Sequence, residues 1–317
     1  MLKRSDDVVV AAYNLLFGRD PEPAGLKHWS SALEGGLPRT AFLHAMLASE
    51  EFRQRMPTEE ALTKYRDVDL IIPIQNRQFR VPASDTSLVP HLLAHRCWEP
   101  HILHWLTRTL HPSHVFVDVG ANIGYFTVLC APLVSRLVAF EPASISYEYC
   151  KANIALNGLS NVDLRPFGLW HADETLPIRC DASSLMTAAV AVGSSGTVET
   201  IRAVSLDGLI RRGLEMPRLD VIKLDIEGAE LGALRGMTET LARCRPAIVM
   251  ELNRPALAAC GATVDEVWDV LADLSYEVRA FEGWDARDPV PVGTLDDLKA
   301  RCPEDTLIDI LAVPERC

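Results

Sequence analysis

Beyond residue 98, the chain alternates between short apolar runs and longer stretches in which apolar residues recur at helical spacing. The apolar runs predict strands at residues 115–119, 137–140, 162–165, 219–225 and 247–252. The amphipathic stretches predict helices at residues 99–110, 125–134, 144–156, 228–234 and 264–274. Two last apolar runs lie at residues 276–281 and 306–313. This order predicts an α/β fold: a mostly parallel, doubly wound sheet with one antiparallel edge strand.

The N-terminal residues have a different pattern, in which apolar positions recur only at helical spacing. Residues 6–17 predict one amphipathic helix, and Pro23 suits the first position of a second. A third helix is predicted around Phe42 and Met46, and Ser49 caps a fourth. We therefore expect a small helical accessory module at residues 1–57, a linker with an entry hairpin at 58–97, and a large domain at 98–317.

The composition narrows the class of protein. Contents of 48% hydrophobic and 23% charged residues are typical of a soluble globular protein. The net charge of −12 argues against a nucleic acid or an anionic membrane as the main partner, because both require clustered positive charge. No window holds the ~20 apolar residues of a membrane span, and the first residues lack the pattern of a signal peptide. The eight cysteines are scattered singly, so we expect a cytoplasmic protein.

The clearest chemical signal lies directly after the first predicted strand of the large domain. Gly120 and Gly124 stand there, and glycine lets the backbone turn sharply and approach a ligand closely. The helix that begins near Asn122 offers free N–H groups. Glu141 ends the next strand, where an acid accepts hydrogen bonds from ribose hydroxyls. A βαβ unit of this kind predicts a nucleoside cofactor.

Asp118 distinguishes between two nucleoside cofactors. A dinucleotide-binding loop reads Gly-x-Gly-x-x-Gly, and Asp118 stands where the first of those glycines would be. A carboxylate at that position repels a pyrophosphate, but it suits the cationic amino-acid end of S-adenosylmethionine. The residue therefore favours S-adenosylmethionine over NAD.

Several motifs together resemble the FkbM family of class I methyltransferases. They are the segments 116–127, 139–142, 205–207, 220–230 and 250–253. The resemblance spans about residues 98–315 and implies a Rossmann-like class I methyltransferase sheet. It also implies methyl transfer from S-adenosylmethionine to an oxygen, commonly on sugars, polyketides or similar bacterial products.

The resemblance and the position in the fold also indicate which residues bind the cofactor. Those around the glycine loop are Asp118, Gly120, Ala121, Asn122, Gly124, Tyr125, Glu141 and Pro142. The loop and Asp118 are expected to hold the methionine part, and Glu141 the ribose. Phe167 and Gly168, after the third strand, are expected at the adenine, although they equally suit a turn and the core.

Three carboxylates are candidates for catalysis: Asp225, Glu227 and Glu251. They lie at or after strand ends, near the place where this fold presents the methyl group, and a carboxylate there orients or deprotonates an acceptor hydroxyl. Alternatively, Asp225 binds the ammonium group of the cofactor or caps the next helix, where acids such as Glu227 are favoured anyway. Lys223 lies inside an apolar strand, so we expect it to pair with Asp225 or Glu251, because an unpaired buried lysine is costly.

No metal is predicted, because methyl transfer requires none. In metal-dependent relatives of the fold a carboxylate cluster binds the ion, and Asp225, Glu227 and Glu251 would form that cluster here. Six of the nine histidines lie between residues 91 and 114. We interpret them as surface or helix-end residues, with a base near the cofactor mouth and a metal site at His91 and His95 as alternatives.

The N-terminal residues resemble a small helical domain of unknown function. The residues that carry this resemblance are Tyr13, Leu16, Gly18, Arg19, Pro23, Ala24, Gly25, Leu26, Trp29, Leu33, Gly36, Ser49, Glu50, Glu51 and Phe52. The domain is common in bacterial secreted and surface-associated proteins and is compared with phycobilisome linkers. The resemblance implies an accessory role, with a protein partner as its natural ligand, and no chemistry.

The leading interpretation is an S-adenosylmethionine-dependent O-methyltransferase that acts on a glycan, a small molecule or another bacterial surface or secondary product. One alternative is an NAD-binding oxidoreductase, although Asp118 and the lack of a Tyr-x-x-x-Lys pair count against it. Another is an inactive cofactor-binding scaffold protein, against which the intact glycines and acids count. No feature of the sequence identifies the acceptor molecule.

Overall fold

The computed structural model describes residues 5–17, 19–37, 42, 45–46, 69–181, 184–190 and 197–315. The chain folds into two compact units, residues 1–67 and residues 68–317, and each is described by itself. The predicted third N-terminal helix is described only at residues 42, 45 and 46. The predicted fourth helix, from Ser49, lies outside the described residues.

Among the described residues of the N-terminal unit, two helices have defined bounds, α1 (Ser5–Phe17) and α2 (Pro23–Glu34). Proline opens α2 as predicted, because the first position of a helix needs no N–H donor. The guanidinium of Arg19 lies 5.2 Å from the centre of the Tyr13 ring and supports the turn between the helices. The buried apolar core of this unit includes Val9, Ala12, Tyr13, Phe17, Phe42 and Met46.

The larger unit is an α/β domain. Its strands are β1 (Asp69–Ile74), β2 (Arg77–Pro82), β3 (Val115–Val119), β4 (Arg136–Phe140), β5 (Val162–Arg165), β6 (Gly168–Leu169), β7 (Glu174–Asp181), β8 (Ser184–Val190), β9 (Thr197–Val204), β10 (Val221–Leu224), β11 (Ala247–Asn253), β12 (Tyr276–Ala280), β13 (Val290–Val292) and β14 (Leu307–Pro314). Its helices are α3 (Leu88–His95), α4 (Pro100–Thr109), α5 (Tyr125–Cys130), α6 (Ser144–Leu156), α7 (Leu206–Arg211), α8 (Glu230–Arg235), α9 (Thr238–Cys244), α10 (Arg254–Ala259), α11 (Val264–Asp273) and α12 (Leu295–Arg301).

The large sheet has the strand order β13-β12-β14-β11-β10-β3-β4-β5. The strands from β11 to β5 are parallel to one another, and apolar clusters cover both faces of the sheet. The predicted fold class is confirmed. One detail differs, because the antiparallel strand β14 lies between β11 and β12, and the short strand β13 forms the edge. Three residues around a proline are too few to give a recognisable apolar run.

A second sheet, of order β6-β9-β7-β8, lies where the residue pattern at 167–205 predicts an insertion near the site, with strand-like pieces around a small-residue loop. The apolar runs at residues 176–179 and 197–204 predict two of its strands. Apolar and polar residues do not alternate along β8, so a search for the period of two that is typical of strands does not predict this strand. The predicted small-residue loop at 188–195 begins inside β8, and its residues 191–196 lie outside the described part of the chain. Ile178 and Ile201 of this sheet pack on Ala143, just after β4.

The hairpin formed by β1 and β2 is attached to the sheet through Asn153 of α6. The side-chain oxygen of Asn153 accepts a hydrogen bond of 2.6 Å from the backbone N–H of Arg80. Its amide group donates to the carbonyl oxygens of Arg80 and Ile123, at 3.0 and 2.9 Å. One fully buried side chain therefore joins the hairpin to the loop after β3. Within the described residues, no helix has the length and apolar character needed to cross a membrane.

Asp207, in α7, caps the start of α9. One carboxylate oxygen accepts a hydrogen bond of 2.9 Å from the backbone N–H of Glu239. The other accepts from the N–H and the hydroxyl of Thr240, at 2.9 and 2.5 Å. The first N–H groups of a helix have no partner within the helix, so this buried carboxylate satisfies two of them.

Replacing Asp207 by alanine is therefore expected to destabilise the protein by about 2–3 kcal/mol, because two N–H groups at a buried helix end lose their acceptor. Asp207→Asn retains one good acceptor and is expected to cost about half as much. Urea unfolding followed by circular dichroism measures both changes. Asp285→Ala, at an exposed position, serves as the control. Equal midpoints for Asp207→Ala and this control would contradict the capping role.

Candidate active site

The carboxyl ends of β3, β4, β10 and β11 surround a cavity of about 370 Å³. Parallel strands bring their carboxyl ends to the same edge of a sheet, and ligands in open α/β sheets bind outside that edge. The second sheet and the segment between α3 and α4 complete the walls. Most of the residues singled out from the sequence border this cavity: Gly120, Ala121, Asn122, Tyr125, Glu141, Pro142, Phe167, Gly168, Asp225, Glu227 and Glu251.

The loop after β3 is held in one conformation by its backbone. Gly120 has a φ angle of +81°, and a β-carbon on it would lie 1.9 Å from the carbonyl oxygen of Asp225. Only glycine fits there, because the loop must pass directly over the end of β10. The N–H groups of Gly120 and Ala121 both donate to the carbonyl oxygen of Phe140, at 2.9 and 3.0 Å. The loop therefore forms a rigid wall of the cavity.

Asp118 and Gly124 do not border the cavity. The carboxylate of Asp118 lies beneath the loop, almost fully buried, and accepts a hydrogen bond of 2.5 Å from the hydroxyl of Thr127. Its other oxygen is buried and has no hydrogen-bond partner among the described residues. Burial raises the pKa of Asp118, while the nearby charge of Lys223 acts in the opposite direction. Gly124 packs on Cys150, where it precedes α5.

Glu141 forms part of the wall next to the loop. One of its carboxylate oxygens accepts a hydrogen bond of 2.7 Å from the backbone N–H of Asn122. The other accepts one of 2.8 Å from the N–H of Ala143. Burial raises the pKa of Glu141 to about 7, and these two hydrogen bonds oppose the effect. The carboxylate is thus fixed in direction and changes its charge near neutral pH.

Phe167 and Gly168 border the same end of the cavity as Pro142. The guanidinium of Arg202, on β9, lies 5.0 Å from the centre of the Phe167 ring and holds it in place. Tyr125 also borders the cavity, and its hydroxyl accepts a hydrogen bond of 2.9 Å from the backbone N–H of Trp98. Aromatic and apolar surfaces thus flank the polar loop.

Lys223 lies near the middle of the large sheet and is almost fully buried. Its ammonium group is 2.7 Å from a carboxylate oxygen of Asp225 and 4.0 Å from one of Glu99. It also lies 4.6 Å from the centre of the Phe126 ring. Burial alone would lower the pKa of Lys223, but the charges of Asp225 and Glu99 outweigh it and raise that pKa. The pairing with Asp225 confirms one of the two predicted partners.

The cavity also brings together two carboxylates that the sequence pattern does not single out. Glu99 borders it from the residue before α4, and Asp309 borders it from β14. In the register of the sheet, Asp309 lies directly opposite Glu251 on β11. A ring nitrogen of the buried His101 is 2.7 Å from a carboxylate oxygen of Asp309. Asp309 interrupts an apolar run, and an acid inside a predicted buried strand is a sequence feature that identifies it as a candidate site residue. No comparable feature of the sequence identifies Glu99.

Three acids that border the cavity, Glu227, Glu251 and Glu99, have raised pKa values. Burial, together with the charge of Asp225, raises the pKa of Glu227 to about 7. Burial also raises the pKa of Glu251, and the charges of Asp225 and Glu227 add to the effect. Burial raises the pKa of Glu99 despite the opposing charge of Lys223. Groups that titrate near neutral pH inside a cavity are typical of catalytic acids and bases.

Three non-glycine residues that border the cavity have a left-handed backbone. The φ angles are +40° for Glu99, +52° for Asn122 and +52° for Glu227. Asparagine tolerates this conformation, whereas glutamate rarely adopts it. Such backbone strain concentrates at functional sites. Two of the acids are thus held in positions that only the surrounding fold maintains.

Glu230 supports this site from below and does not border the cavity. One of its carboxylate oxygens accepts hydrogen bonds from the backbone N–H groups of Ile226 and Gly228, at 3.0 and 3.3 Å. Its other oxygen is buried without a partner among the described residues. Burial raises the pKa of Glu230 to about 7. The side chain fixes the loop that carries Glu227. Among the described residues, no group of three or more His, Cys, Asp or Glu is placed to hold a metal ion.

Two protein families match the chain. The Methyltransferase FkbM domain matches residues 118–278, which include the loop after β3 and the acids at the ends of β10 and β11. A domain of unknown function, DUF4214, matches residues 4–56. Both resemblances drawn from the sequence motifs are confirmed.

Individual relatives are methyltransferases. Methyltransferase sdnD of Sordaria araneosa is 31% identical over 163 residues, which are 40% of this chain and 62% of that protein. Hexuronic acid methyltransferase AglP of Haloferax volcanii is 30% identical over 148 residues, which are 45% of this chain and 58% of that protein. The chain therefore spans about three fifths of the length of these curated relatives.

Solved methyltransferase structures also align with the chain. Methyltransferase FkbM from Methylobacillus flagellatus KT aligns with a TM-score of 0.40 and 16% identity, over 64% of this chain and 44% of that chain. An rRNA methylase from Streptococcus thermophilus aligns with a TM-score of 0.40 and 12% identity, over 69% of this chain and 98% of that chain.

The raised pKa of Glu230 predicts that the stability of the protein depends on pH. Its folded-state pKa of about 7 exceeds the unfolded value of ~4.3. Its contribution is therefore complete below about pH 4 and is lost as the pH rises through 7. Urea unfolding from pH 5 to 8 is expected to show this loss in the wild type. In Glu230→Gln the loss should be smaller by about 2–3 kcal/mol. The exposed Glu148→Gln should match the wild type, and an unchanged profile in Glu230→Gln would contradict the assignment.

Proposed function

Because the chain belongs to the FkbM methyltransferase domain family, we propose that it transfers a methyl group from S-adenosylmethionine to a hydroxyl of a glycan or another bacterial surface or secondary product. One observation carries the proposal: a single cavity has the glycine loop on one wall and Asp225, Glu227 and Glu251 on another. A nucleoside-binding loop and acids that act on an acceptor hydroxyl are the two elements that such a transfer requires.

The wall formed by the loop fits S-adenosylmethionine. The backbone of Gly120, Ala121 and Asn122 borders the cavity without bulky side chains in the way of a ligand. Each oxygen of Glu141 accepts one backbone hydrogen bond and retains capacity for a ribose hydroxyl. A cavity of about 370 Å³ lies within the range of small-molecule sites, ~300–1,000 Å³.

Side chains around the cavity are proposed to make the other contacts to S-adenosylmethionine. Pro142, Phe167 and Gly168 form an apolar end suited to the adenine. Asp225, held by Lys223, is placed to attract the cationic groups of the methionine part. Asp118 acts through the structure of the loop and α5, because its carboxylate binds Thr127 beneath the loop.

When bound, S-adenosylmethionine would supply a methyl group: the acceptor oxygen would form a bond to the methyl carbon as the carbon–sulfur bond breaks, and S-adenosylhomocysteine would leave as a neutral thioether. The residues of this chain then have two tasks: to align that oxygen and to accept its proton. Glu227 is the proposed base, since its pKa of about 7 provides both the ionised form and enough basicity near neutral pH. Glu251, which borders the same cavity, is proposed to orient the acceptor.

The name of one relative supports a sugar acceptor. The hexuronic acid methyltransferase of Haloferax volcanii shares 30% identity with this chain over the matched residues. Within our proposal, residues 1–57 form an accessory module that binds a protein partner, 58–97 contain the linker and the entry hairpin, and 98–317 form the methyltransferase domain. The hairpin belongs to the compact unit of residues 68–317.

Calorimetry with S-adenosylhomocysteine tests the cofactor assignment. The wild-type protein is expected to bind it, and Glu141→Ala is expected to weaken binding about 100-fold, because hydrogen bonds from two ribose hydroxyls to a carboxylate are lost. The matched control is Glu148→Ala, on the exposed face of α6. Thermal unfolding of each variant verifies that the fold is intact. If S-adenosylhomocysteine does not bind to the wild-type protein, the proposed function is wrong.

Glu227→Gln tests the proposed base. Methyl transfer is expected to fall about 10²–10⁴-fold, because the amide cannot take up the proton, while the Kd for S-adenosylhomocysteine stays within about twofold. In the wild type, the rate should rise with pH through about 7 as Glu227 ionises. The assay compares methylated products, by mass spectrometry, in a deletion strain complemented with each variant. A Glu227→Gln strain with wild-type product levels would disprove the assignment.

A further inference from the structure

The end of the cavity remote from Glu141 is unusually acidic. Carboxyl groups from the residue before α4, from the loop after β10 and from the paired strands β11 and β14 border it. Among the described residues that border the cavity, Lys223 is the one with a cationic side chain. The carboxyl groups at this end are those of Glu99, Asp225, Glu227, Glu251 and Asp309.

Nearby side chains pair with only some of these acids. Lys223 binds Asp225 at 2.7 Å, and the ring of His101 binds Asp309 at 2.7 Å. Within the described part of the chain, the carboxyl groups of Glu227 and Glu251 form no hydrogen bond or ion pair. S-adenosylmethionine carries a sulfonium, an ammonium and a carboxylate, and therefore adds one net positive charge. At least one carboxyl group at this end still lacks a cationic partner.

Aromatic rings form the rim above these acids. The rings of Trp98 and Trp284 meet edge to face with their centres 5.3 Å apart, and Trp284 remains 41% exposed. The ring of His91 packs against both tryptophans, at 5.0 and 5.2 Å. Exposed tryptophan faces attract cations and pack against the C–H faces of sugar rings. The acids and the two tryptophans thus border the same cavity.

From this combination of uncompensated acids and an aromatic rim, we infer that the acceptor is an amino sugar, whose protonated amine lies among the carboxylates when its hydroxyl is methylated. This inference rests on the proposed function and specifies its substrate class. The acids would bind the ammonium group directly, at close range and away from bulk water, where the attraction between opposite charges is strong.

The same charges exclude a uronic acid as the acceptor. A carboxylate on the sugar would approach Glu251 and Asp309, while Lys223 is already bound to Asp225. Like charges brought together away from water repel strongly. The protein would therefore differ in specificity from its relative in Haloferax volcanii, whose name describes a hexuronic acid methyltransferase.

Calorimetry of the full-length protein saturated with S-adenosylhomocysteine tests the inference with three probes: methyl glucosaminide, methyl glucoside and methyl glucuronide. The glucosaminide is expected to bind at least tenfold more tightly than the glucoside, and the glucuronide at least tenfold more weakly. Glu251→Gln and Asp309→Asn should each reduce the preference for the amine at least threefold. The control Glu148→Gln makes the same chemical change at an exposed site and should leave the preference unchanged.

The outcomes separate the inference from the proposed function. If S-adenosylhomocysteine binds but the glucoside or the glucuronide equals the glucosaminide, the inference fails and the proposed function remains. The inference also fails if no glycoside binds the saturated protein, or if both acid-to-amide variants retain the full preference. If S-adenosylhomocysteine itself does not bind, the proposed function fails first.

Discussion

The arrangement of the cavity depends on the buried ammonium group of Lys223. It lies 2.7 Å from Asp225 and 4.0 Å from Glu99, and Asp118 lies beside it in the register of β3 and β10. Carboxylates from three distant parts of the chain thus converge on one charge. A buried carboxylate without a counter-charge is costly, so the cation stabilises all three positions together. The wall that carries the glycine loop and the wall that carries the acids therefore share one electrostatic support.

The site residues that lie at the ends of the parallel strands can be predicted from the sequence. Asp225, Glu227 and Glu251 lie at or just after the ends of apolar runs, and parallel strands bring such residues together at one edge of the sheet. Gly120 is likewise predictable, because a loop that crosses the end of a neighbouring strand has no room for a β-carbon. For these residues, the sequence pattern that marks the end of a strand also fixes the position in the fold, so the motif predicts the site.

Other features depend on contacts that a linear pattern does not contain. Glu99 reaches the cavity only because α4 packs against the sheet, and Asp309 only because β14 inserts antiparallel beside β11. In the second sheet, apolar runs predict β7 and β9, whereas β8, which pairs with β7, lacks the alternation of a strand. Asp118 illustrates the same limit, since spacing along the chain does not reveal that its carboxylate lies under the loop and binds Thr127.

The hydrogen bonds of Asn153 limit where a gene fusion can join this domain to another. This residue binds the backbone of Arg80 in the hairpin and of Ile123 in the glycine loop, although the family match begins only at residue 118. A gene fusion joined between the hairpin and β3 would leave this buried amide with part of its partners missing and would loosen the loop. A fusion joined before Asp69 would carry the hairpin along. The stretch that must be inherited together to hold the glycine loop is therefore longer than the stretch that matches the family.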